Sequence, residues 1–446
     1  MSISLSPQQD LAVREFRKWF KDIAQPFKRA GNADDYPPVY VQQGFAGTGK
    51  STVLPFFIEA AGLDPKTDVA FLAPTGKAAK VITAKLRSSG IDVQAITIHK
   101  AMYRPKGLKF MAIEAELAAT REAIAEALLP AEKADLERKA AILTKDLDRA
   151  YDSTAPSFSL NPDSPTMREP QLIVVDEASM VNEQMADDML SFGTPILAIG
   201  DPGQLQPVGG KPGFFVGTPD NILTEIHRQA LDNPIIWASK LVRDGNPIPM
   251  GSHGGGLLRV LERHEDDITF DRSIDKQVIV GTNRKRHQLT RKLRQLAGLH
   301  AAGPTAGEPM IVVKNSRKYP SLVNGSILET TFDSGELQSE HVTVRLRAKD
   351  EDAVPYDLTI IQALLEENYL GVGQWTAPKF RVRHAMEDQK YHQVDWAYAI
   401  TCHKSQGSQW NNVVVHDESG MFRDQSAEWL YTAITRAAER LTLVVS

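Results

Sequence analysis

The chain of 446 residues has a single cysteine, Cys402, so it cannot form an internal disulfide. That excludes a disulfide framework and fits a reducing compartment: the cytoplasm, or a host's cytoplasm if the chain is viral. No apolar run approaches the roughly 20 residues that span a bilayer. The N-terminus lacks the apolar h-region of a signal peptide. Neither a membrane anchor nor secretion is therefore expected. Internal repeats and low-complexity tracts are also missing, which argues against solenoids and disordered tails. Any excess of positive charge is lacking too, since the net charge is -5. The chain is not globally built to coat nucleic acid. Local charge says more: Arg284, Lys285, Arg286, Arg291, Lys292 and Arg294 occur between Gly281 and Leu299 without one acid. Such a stripe can bind phosphates. A solvated helix face is an equally good reading of the run taken alone.

What is present is an ordinary globular composition, 42% hydrophobic and 24% charged, at a length that predicts two to four domains. Short β-branched runs alternate with helical stretches. Val39–Gln42, Val69–Leu72, Leu172–Val175, Ile196–Ile199, Val278–Val280 and Val413–Val415 read as buried strands of parallel sheets, in two groups divided near residue 215. Two segments break the rhythm. In Arg104–Pro170, Leu136, Ala140, Leu143 and Leu147 recur at helical spacing, as do Ile113, Leu117, Ile124 and Leu128. With Pro130 between them, they predict a helical hairpin over about Lys109–Tyr151. The Ser-, Pro- and Asp-rich Ser153–Pro170 follows as a turn-like excursion. In Ile311–Gln393, alternating runs such as Val342–Arg347 and the turn signal Asn324–Gly325 predict a small β-rich module. Gly251–Gly256 and Gly298–Pro309 read as linkers.

Gly44-Phe-Ala46-Gly47-Thr48-Gly49-Lys50-Ser51 matches G-x-x-x-x-G-K-[ST], and it lies between a predicted strand, Val39–Gln42, and an apolar helical run, Val53–Ala61. Glycines let backbone N–H groups approach phosphates, Lys50 supplies a charge for the β- and γ-phosphates, and Ser51 offers a hydroxyl to Mg²⁺. Leu172-Ile-Val-Val-Asp176-Glu177 is an apolar strand ending in two carboxylates. Ligands of parallel sheets bind at the carboxyl ends of strands. Asp176 is thus expected on Mg²⁺ through water, and Glu177 on the attacking water. Ile196–Gln204 ends in polar groups that place Gln204 at a γ-phosphate, although Asp, Pro and Gly there also suit a plain turn. Gln9 could read an adenine edge with its amide. Arg228 and Arg436 lie far from the loop in sequence and suit γ-phosphate reporting from a second lobe. Each in isolation would read as a surface ion pair.

Taken in order, Gly44–Ser51, Ala73–Ala79, Thr97-Ile-His99, Asp176–Ser179, Gly200–Gln204, His227–Gln229, Ala399–Gly407 and Tyr431–Arg436 resemble the motifs of superfamily 1 helicases, and the later ones resemble the RecD/Dda branch, superfamily 1B. The resemblance runs from Gln9 to Arg436 and excludes the helical insert. Cys402 fills a place where that family often has an aliphatic residue, and it reads as a small buried hydrophobe.

The resemblance implies an α/β fold of two RecA-like P-loop NTPase domains, the first over residues 1–103 and 171–220, the second over 221–310 and 394–446. Residues 104–170 would form the inserted hairpin and pin region. Residues 311–393 would form an SH3-like accessory domain. It implies that ATP and Mg²⁺ bind at Gln9, Gly44, Ala46, Gly47, Thr48, Gly49, Lys50, Ser51, Thr52, Gln406 and Gly407, with Ser51 and Asp176 on the metal. Catalysis would rest on Lys50, Glu177, Gln204, Arg228 and Arg436. Single-stranded DNA would run over Pro74, Thr75 and His99, then Asn283, Thr401, His403 and Ser405. The implied activity is ATP-driven translocation on single-stranded DNA, 5′→3′, with unwinding at single-strand/duplex junctions by a monomer. Phe158 is the strand-separation pin candidate, although a plain loop anchor reads as well there. The hairpin reads as a docking arm for a replication or recombination partner. Two other classes remain open from sequence: an ATP-switched remodeller that never separates strands, and the helicase subunit of a recombination nuclease.

Overall fold

The computed structural model describes residues 5–31, 36–105, 116–117, 119–120, 123–124, 130–152, 158–207, 210–226, 232–262, 276–299, 303–313, 319, 322, 324–331, 341–347, 356–361 and 394–445. Two compact units divide it: residues 1–98 with 170–446, and residues 99–169. No helix among the described residues is long and apolar enough to cross a membrane.

The larger unit holds three sheets. The first contains β1 (Val39–Gly44), β2 (Val69–Ala73), β3 (Ile96–Thr97), β6 (Leu172–Val175), β7 (Ile196–Gly200) and β8 (Asn221–Leu223), in the order β3-β2-β6-β7-β1-β8, all parallel. β2, β6 and β7 are buried along their whole length. This is why they read as unbroken apolar runs rather than alternating ones. The helix Pro7–Trp19 packs Phe16 and Trp19 into this core; its capping box pairs Ser6 with Gln9.

The second sheet has the order β17-β11-β18-β19-β10-β9. Its strands are β9 (Gly251–His253), β10 (Leu258–Glu262), β11 (Lys276–Val280), β17 (Ala399–Thr401), β18 (Trp410–His416) and β19 (Ala437–Val445). All but β9 are parallel to their neighbours. The third sheet is antiparallel, in the order β15-β14-β13-β12-β16, built from β12 (Pro309–Val312), β13 (Ile327–Thr330), β14 (His341–Arg347), β15 (Tyr356–Ile361) and β16 (Val394–Trp396).

These sheets shift three expectations. Asn221–Leu223 pairs with β1, so the first sheet extends past residue 220. The third sheet takes in Pro309–Val312 and Val394–Trp396, so it begins before residue 311 and ends after 393. Gly251–Gly256 is not a linker: Gly251–His253 is an edge strand on β10, and its glycines supply the positive φ of the turn that follows.

The basic helix Asn283–Leu296 is likewise only partly a phosphate-facing stripe. Arg286 is buried against Asp395 at 2.6 Å. Arg294 is fully buried against Glu308 at 2.6 Å, with its guanidinium 4.0 Å from the Trp396 ring centroid. These pairs tie the helix to the third sheet. A buried arginine persists only when a carboxylate and good geometry offset its desolvation. Arg284 and Lys292 are the exposed part of the run.

In the smaller unit, β4 (Tyr103–Pro105) pairs antiparallel with β5 (Phe158–Leu160). The helix Pro130–Asp152 is the second arm of the expected hairpin. Glu116, on the first arm, meets Lys139 at 2.8 Å. The rest of the first arm lies largely outside the described residues. Pro130 starts the second helix, where its missing N–H costs nothing.

Candidate nucleotide site and the groups around it

The phosphate loop leaves β1 and enters the helix Lys50–Ala61. Gly47 and Gly49 have φ of 79° and 80°, a region that favours glycine. A Cβ on Gly44 would meet Lys50 Cγ at 2.7 Å and Thr48 Oγ1 at 2.9 Å, so the loop closes only over glycine. Thr48 is buried and its hydroxyl donates to the Phe45 carbonyl at 2.8 Å. The Thr52 N–H donates to the Gly49 carbonyl at 2.9 Å and begins the helix. Lys50 Nζ donates to the carbonyls of Gly44 and Phe45 and lies 3.2 Å from Asp201 Oδ2.

Asp176 and Glu177 follow β6 beside this loop. Glu177 takes φ 54°, strained for a non-glycine residue. Gly200 permits that turn: a Cβ there would meet the Ser179 and Ala178 backbone nitrogens at 3.0 and 3.1 Å. Burial and the Asp176 carboxylate raise the Glu177 carboxyl above the ordinary range, while Arg436, Lys50 and Lys85 pull it back. A small cleft is lined by Lys50, Ser51, Lys85 and Asp176 together with the apolar Leu54, Pro55, Ile82, Leu86 and Ile199. Lys85 Nζ donates to Ser51 Oγ at 2.8 Å. A hydroxyl and a carboxylate on one cleft are the hard oxygen donors a divalent cation such as Mg²⁺ takes. Gln204 is buried, and its Oε1 has no hydrogen-bond partner among the described residues.

The second lobe reaches this site. Tyr431, on the helix Ser426–Ile434, accepts the Ala46 N–H at 2.7 Å and donates to Asp201 Oδ2 at 2.9 Å. Arg243 lies over the Phe45 ring at 4.2 Å. Arg436 is buried; it donates to the carbonyls of Thr432 at 3.0 Å and Ser408 at 3.2 Å, and to Thr435 Oγ1 at 3.1 Å. Its charge is felt at Glu177 across the cleft. The loop at Gln406–Gly407 docks on the first lobe: Gln406 Nε2 donates to the Leu205 carbonyl at 3.1 Å, and a Cβ on Gly407 would meet Ala78 Cβ at 3.0 Å. These two residues therefore join the two lobes. Lys77 lies 4.3 Å over the Trp410 ring, and burial and Arg436 lower its amine to about 8.

Other expected residues fall as follows. Gln9 is buried, and its amide is spent on the Ser6 N–H and, at 3.1 Å, on the Thr48 carbonyl. It braces the phosphate loop where an open adenine reader was expected. Pro74 and Thr75 sit at the carboxyl end of β2, and Thr75 Oγ1 caps the helix Gly76–Ser88. Asn283 is exposed at the start of its helix, and Thr401 ends β17. Next to it, the half-buried His403 ring is 5.8 Å from Phe422, and burial lowers its pKa. Ser405 departs from its expected place on a track. It is fully buried with its hydroxyl on the Cys402 carbonyl at 2.6 Å, because the short helix turns it inward. Burial pushes the Cys402 thiol up to about 12, which keeps it protonated and inert. His99 belongs to the smaller unit, where it stacks 5.3 Å from Tyr103. Arg228 lies outside the described residues, and so does the side chain of Phe158. The sequence signals missed Tyr431, Asp201 and Lys77 as contact residues although all three stand inside quoted motifs. Lys85 has no motif to flag it.

Residues 34–254 match the family described as AAA domain, and residues 396–444 match the UvrD-like helicase C-terminal domain. The ATP-dependent RecD2 DNA helicase of Deinococcus radiodurans is 24% identical over 275 residues, covering 60% of this chain and 35% of that protein. An uncharacterized protein of Methanocaldococcus jannaschii, MJ1519, is 49% identical over 61 residues, 14% of this chain and 5% of that one. The chain thus spans about a third or less of the length of these curated relatives. Solved structures of Pif1 helicases from Candida albicans (TM-score 0.47, 16% identity, 99% of this chain and 95% of that) and from Bacteroides with ADP-AlF3 and ssDNA (0.49, 15%, 100% and 93%) are similar over the whole length. At those scores they carry no argument about chemistry. The chain thus carries an AAA domain match followed by a UvrD-like helicase C-terminal domain match, and its motifs follow in an order similar to that of superfamily 1B helicases.

Proposed function

We propose that the chain is an ATP-dependent DNA helicase: it moves along single-stranded DNA, 5′→3′, and separates duplex at a single-strand junction, acting as a monomer. The observation that supports this most is the meeting of Tyr431 and Arg436 of the second lobe with the phosphate loop and Glu177 of the first. A site shared by two lobes can convert phosphate chemistry into lobe movement. Lys50 and the loop N–H groups bind the ATP phosphates, and Gln204, Arg228 and Arg436 address the γ-phosphate. Ser51 and Asp176 would hold Mg²⁺, which would supply charge neutralisation, and Lys85 would release the Ser51 hydroxyl to it. Glu177 orients and deprotonates the attacking water. Pro74, Thr75, Asn283, Thr401 and His403 form the single-strand track, and the third sheet is read as the SH3-like accessory domain.

Strand displacement on duplexes with a 5′ or a 3′ tail tests the proposal. Displacement of the 5′-tailed duplex with ATP supports it. Tail-dependent ATPase without displacement would leave a remodeller, and cleavage of either strand would point to a nuclease.

Binding to the strand should tolerate any sequence and weaken with salt. Log K is expected to fall by about 0.7 per phosphate neutralised for each tenfold rise in salt, read by fluorescence anisotropy across a salt series. A flat salt series would contradict a phosphate track.

Phe158 is proposed as the pin: it opens β5, opposite Pro105 of β4, and an aromatic residue at a junction can stack on the last base pair. Phe158→Ala is expected to slow unwinding of a tailed duplex and to spare single-strand-stimulated ATPase. Replacing 109–151, proposed as a partner-docking arm, with a short linker is expected to spare both. The reverse pattern would move the pin into the helical arm.

A further inference from the structure

The buried carboxylate of Asp201 poses a problem for any phosphate that arrives at Lys50. Asp201 is 1% exposed. Its Oδ1 accepts the Gly203 N–H at 3.0 Å. Its Oδ2 accepts from two donors: Lys50 at 3.2 Å and the Tyr431 hydroxyl at 2.9 Å. When Lys50 turns to a phosphate, Oδ2 loses its charged partner in a site with no water-facing alternative, and a buried charge without partners is costly. Among the described residues, the Tyr431 hydroxyl is the donor to Oδ2 that remains.

Resting on the nucleotide-binding reading above, we propose that Tyr431 is a positioning residue for the phosphates. By holding Asp201 satisfied, it releases Lys50 to the ligand. The residue comes from the second lobe, so the availability of Lys50 depends on the second lobe being in place. Neighbouring bonds point the same way. The Leu205 N–H donates to Thr432 Oγ1 at 2.8 Å, which holds the 201–205 loop to the Tyr431 helix. The Tyr431 ring lies against Gly203, where a Cβ would meet it at 3.1 Å.

A second effect opposes the first. The Tyr431 oxygen also takes the Ala46 N–H, a donor a phosphate oxygen could use. Losing the hydroxyl would free that N–H and favour the ligand. The two effects differ in size. Hydrogen bonds to a charged group are worth roughly twice those between neutral groups. The Asp201 effect therefore wins, and Tyr431→Phe weakens nucleotide binding.

The test is equilibrium binding of a fluorescent ATP analogue to the full chain: wild type, Lys50→Ala, Tyr431→Phe, Asp201→Asn and the Asp201→Asn/Tyr431→Phe double variant, with folding checked by circular dichroism. Binding lost in Lys50→Ala supports the nucleotide site itself; unchanged binding there defeats that reading and overturns the proposal that rests on it. Given that loss, Tyr431→Phe is expected to raise Kd about tenfold, the scale of one charge-assisted hydrogen bond. In the Asp201→Asn background the same change is expected to have no weakening effect, because the carboxylate it serves is gone. An unchanged Kd in Tyr431→Phe overturns the proposal. So does a tighter one, which would make the hydroxyl a competitor of phosphate, and so does equal weakening in both backgrounds, which would assign the effect to ring packing. A ring-removing variant, Tyr431→Leu, with a much larger loss of melting temperature than Tyr431→Phe, separates packing from the hydroxyl.

Discussion

Glu177→Gln is expected to bind ATP as the wild type does and to lose at least ~100-fold in kcat, since assistance by a general base is typically worth 10²–10⁴. The amide keeps the shape of the side chain but cannot take a proton. Lys50→Ala should differ in kind: it removes the charge that meets the phosphates, so binding weakens and turnover vanishes together. Steady-state phosphate release combined with equilibrium nucleotide binding distinguishes the two. Near wild-type hydrolysis by Glu177→Gln would remove Glu177 from the role of base. The pH profile gives a second check. A base works in its ionised form, so turnover rises with pH through its pKa. Burial and Asp176 raise the Glu177 carboxyl, and the acid limb of kcat should lie above the range where an ordinary glutamate titrates. The Glu177→Gln variant should lack that limb.

Arg436→Ala should leave ATP binding largely intact and cut DNA-stimulated turnover by about 10³-fold or more, as removal of an arginine finger does. The residue is buried in the second lobe, with its guanidinium held by Thr432, Ser408 and Thr435, so its geometry is set before any ligand arrives. Fixed donors of this kind cost no reorganisation when charge develops. Arg436 is also the first of the groups that hold the Glu177 carboxyl down. Its loss should therefore move the acid limb of the residual activity to higher pH. Measuring ATPase with and without single-stranded DNA across pH reads both effects. Equal stimulated rates in wild type and variant would sink the role assigned to Arg436.

Much of this site is contiguous in the chain and therefore legible there. A phosphate loop is a local structure: Gly44, Gly47, Gly49, Lys50 and Ser51 act through backbone N–H groups and side chains within one turn and one helix start. The strands β2, β6 and β7 announce themselves because burial on both faces leaves no polar alternation. Asp176, Glu177 and Gln204 are found at strand ends because parallel sheets place their chemistry there. Order along the chain then carries the resemblance to superfamily 1 helicases without coordinates.

Contacts between distant segments are a different matter. Ala46 and Tyr431 stand 385 positions apart, and no local pattern ties a tyrosine in one lobe to an amide in the other. Six basic residues on one helix look alike in sequence. The fold buries Arg286 and Arg294 in ion pairs with the third sheet and leaves Arg284 and Lys292 exposed, because helical period turns two of them inward. Ser405 carries a hydroxyl suited to phosphate, and the turn of a four-residue helix spends it on a carbonyl. Gly251–Gly256 has linker composition, but a sheet edge recruits it as a strand. By itself the sequence determined which local structures form and which chemistry they carry. Only the tertiary structure decided which polar groups are already satisfied, because a hydrogen bond depends on distance in space and not along the chain.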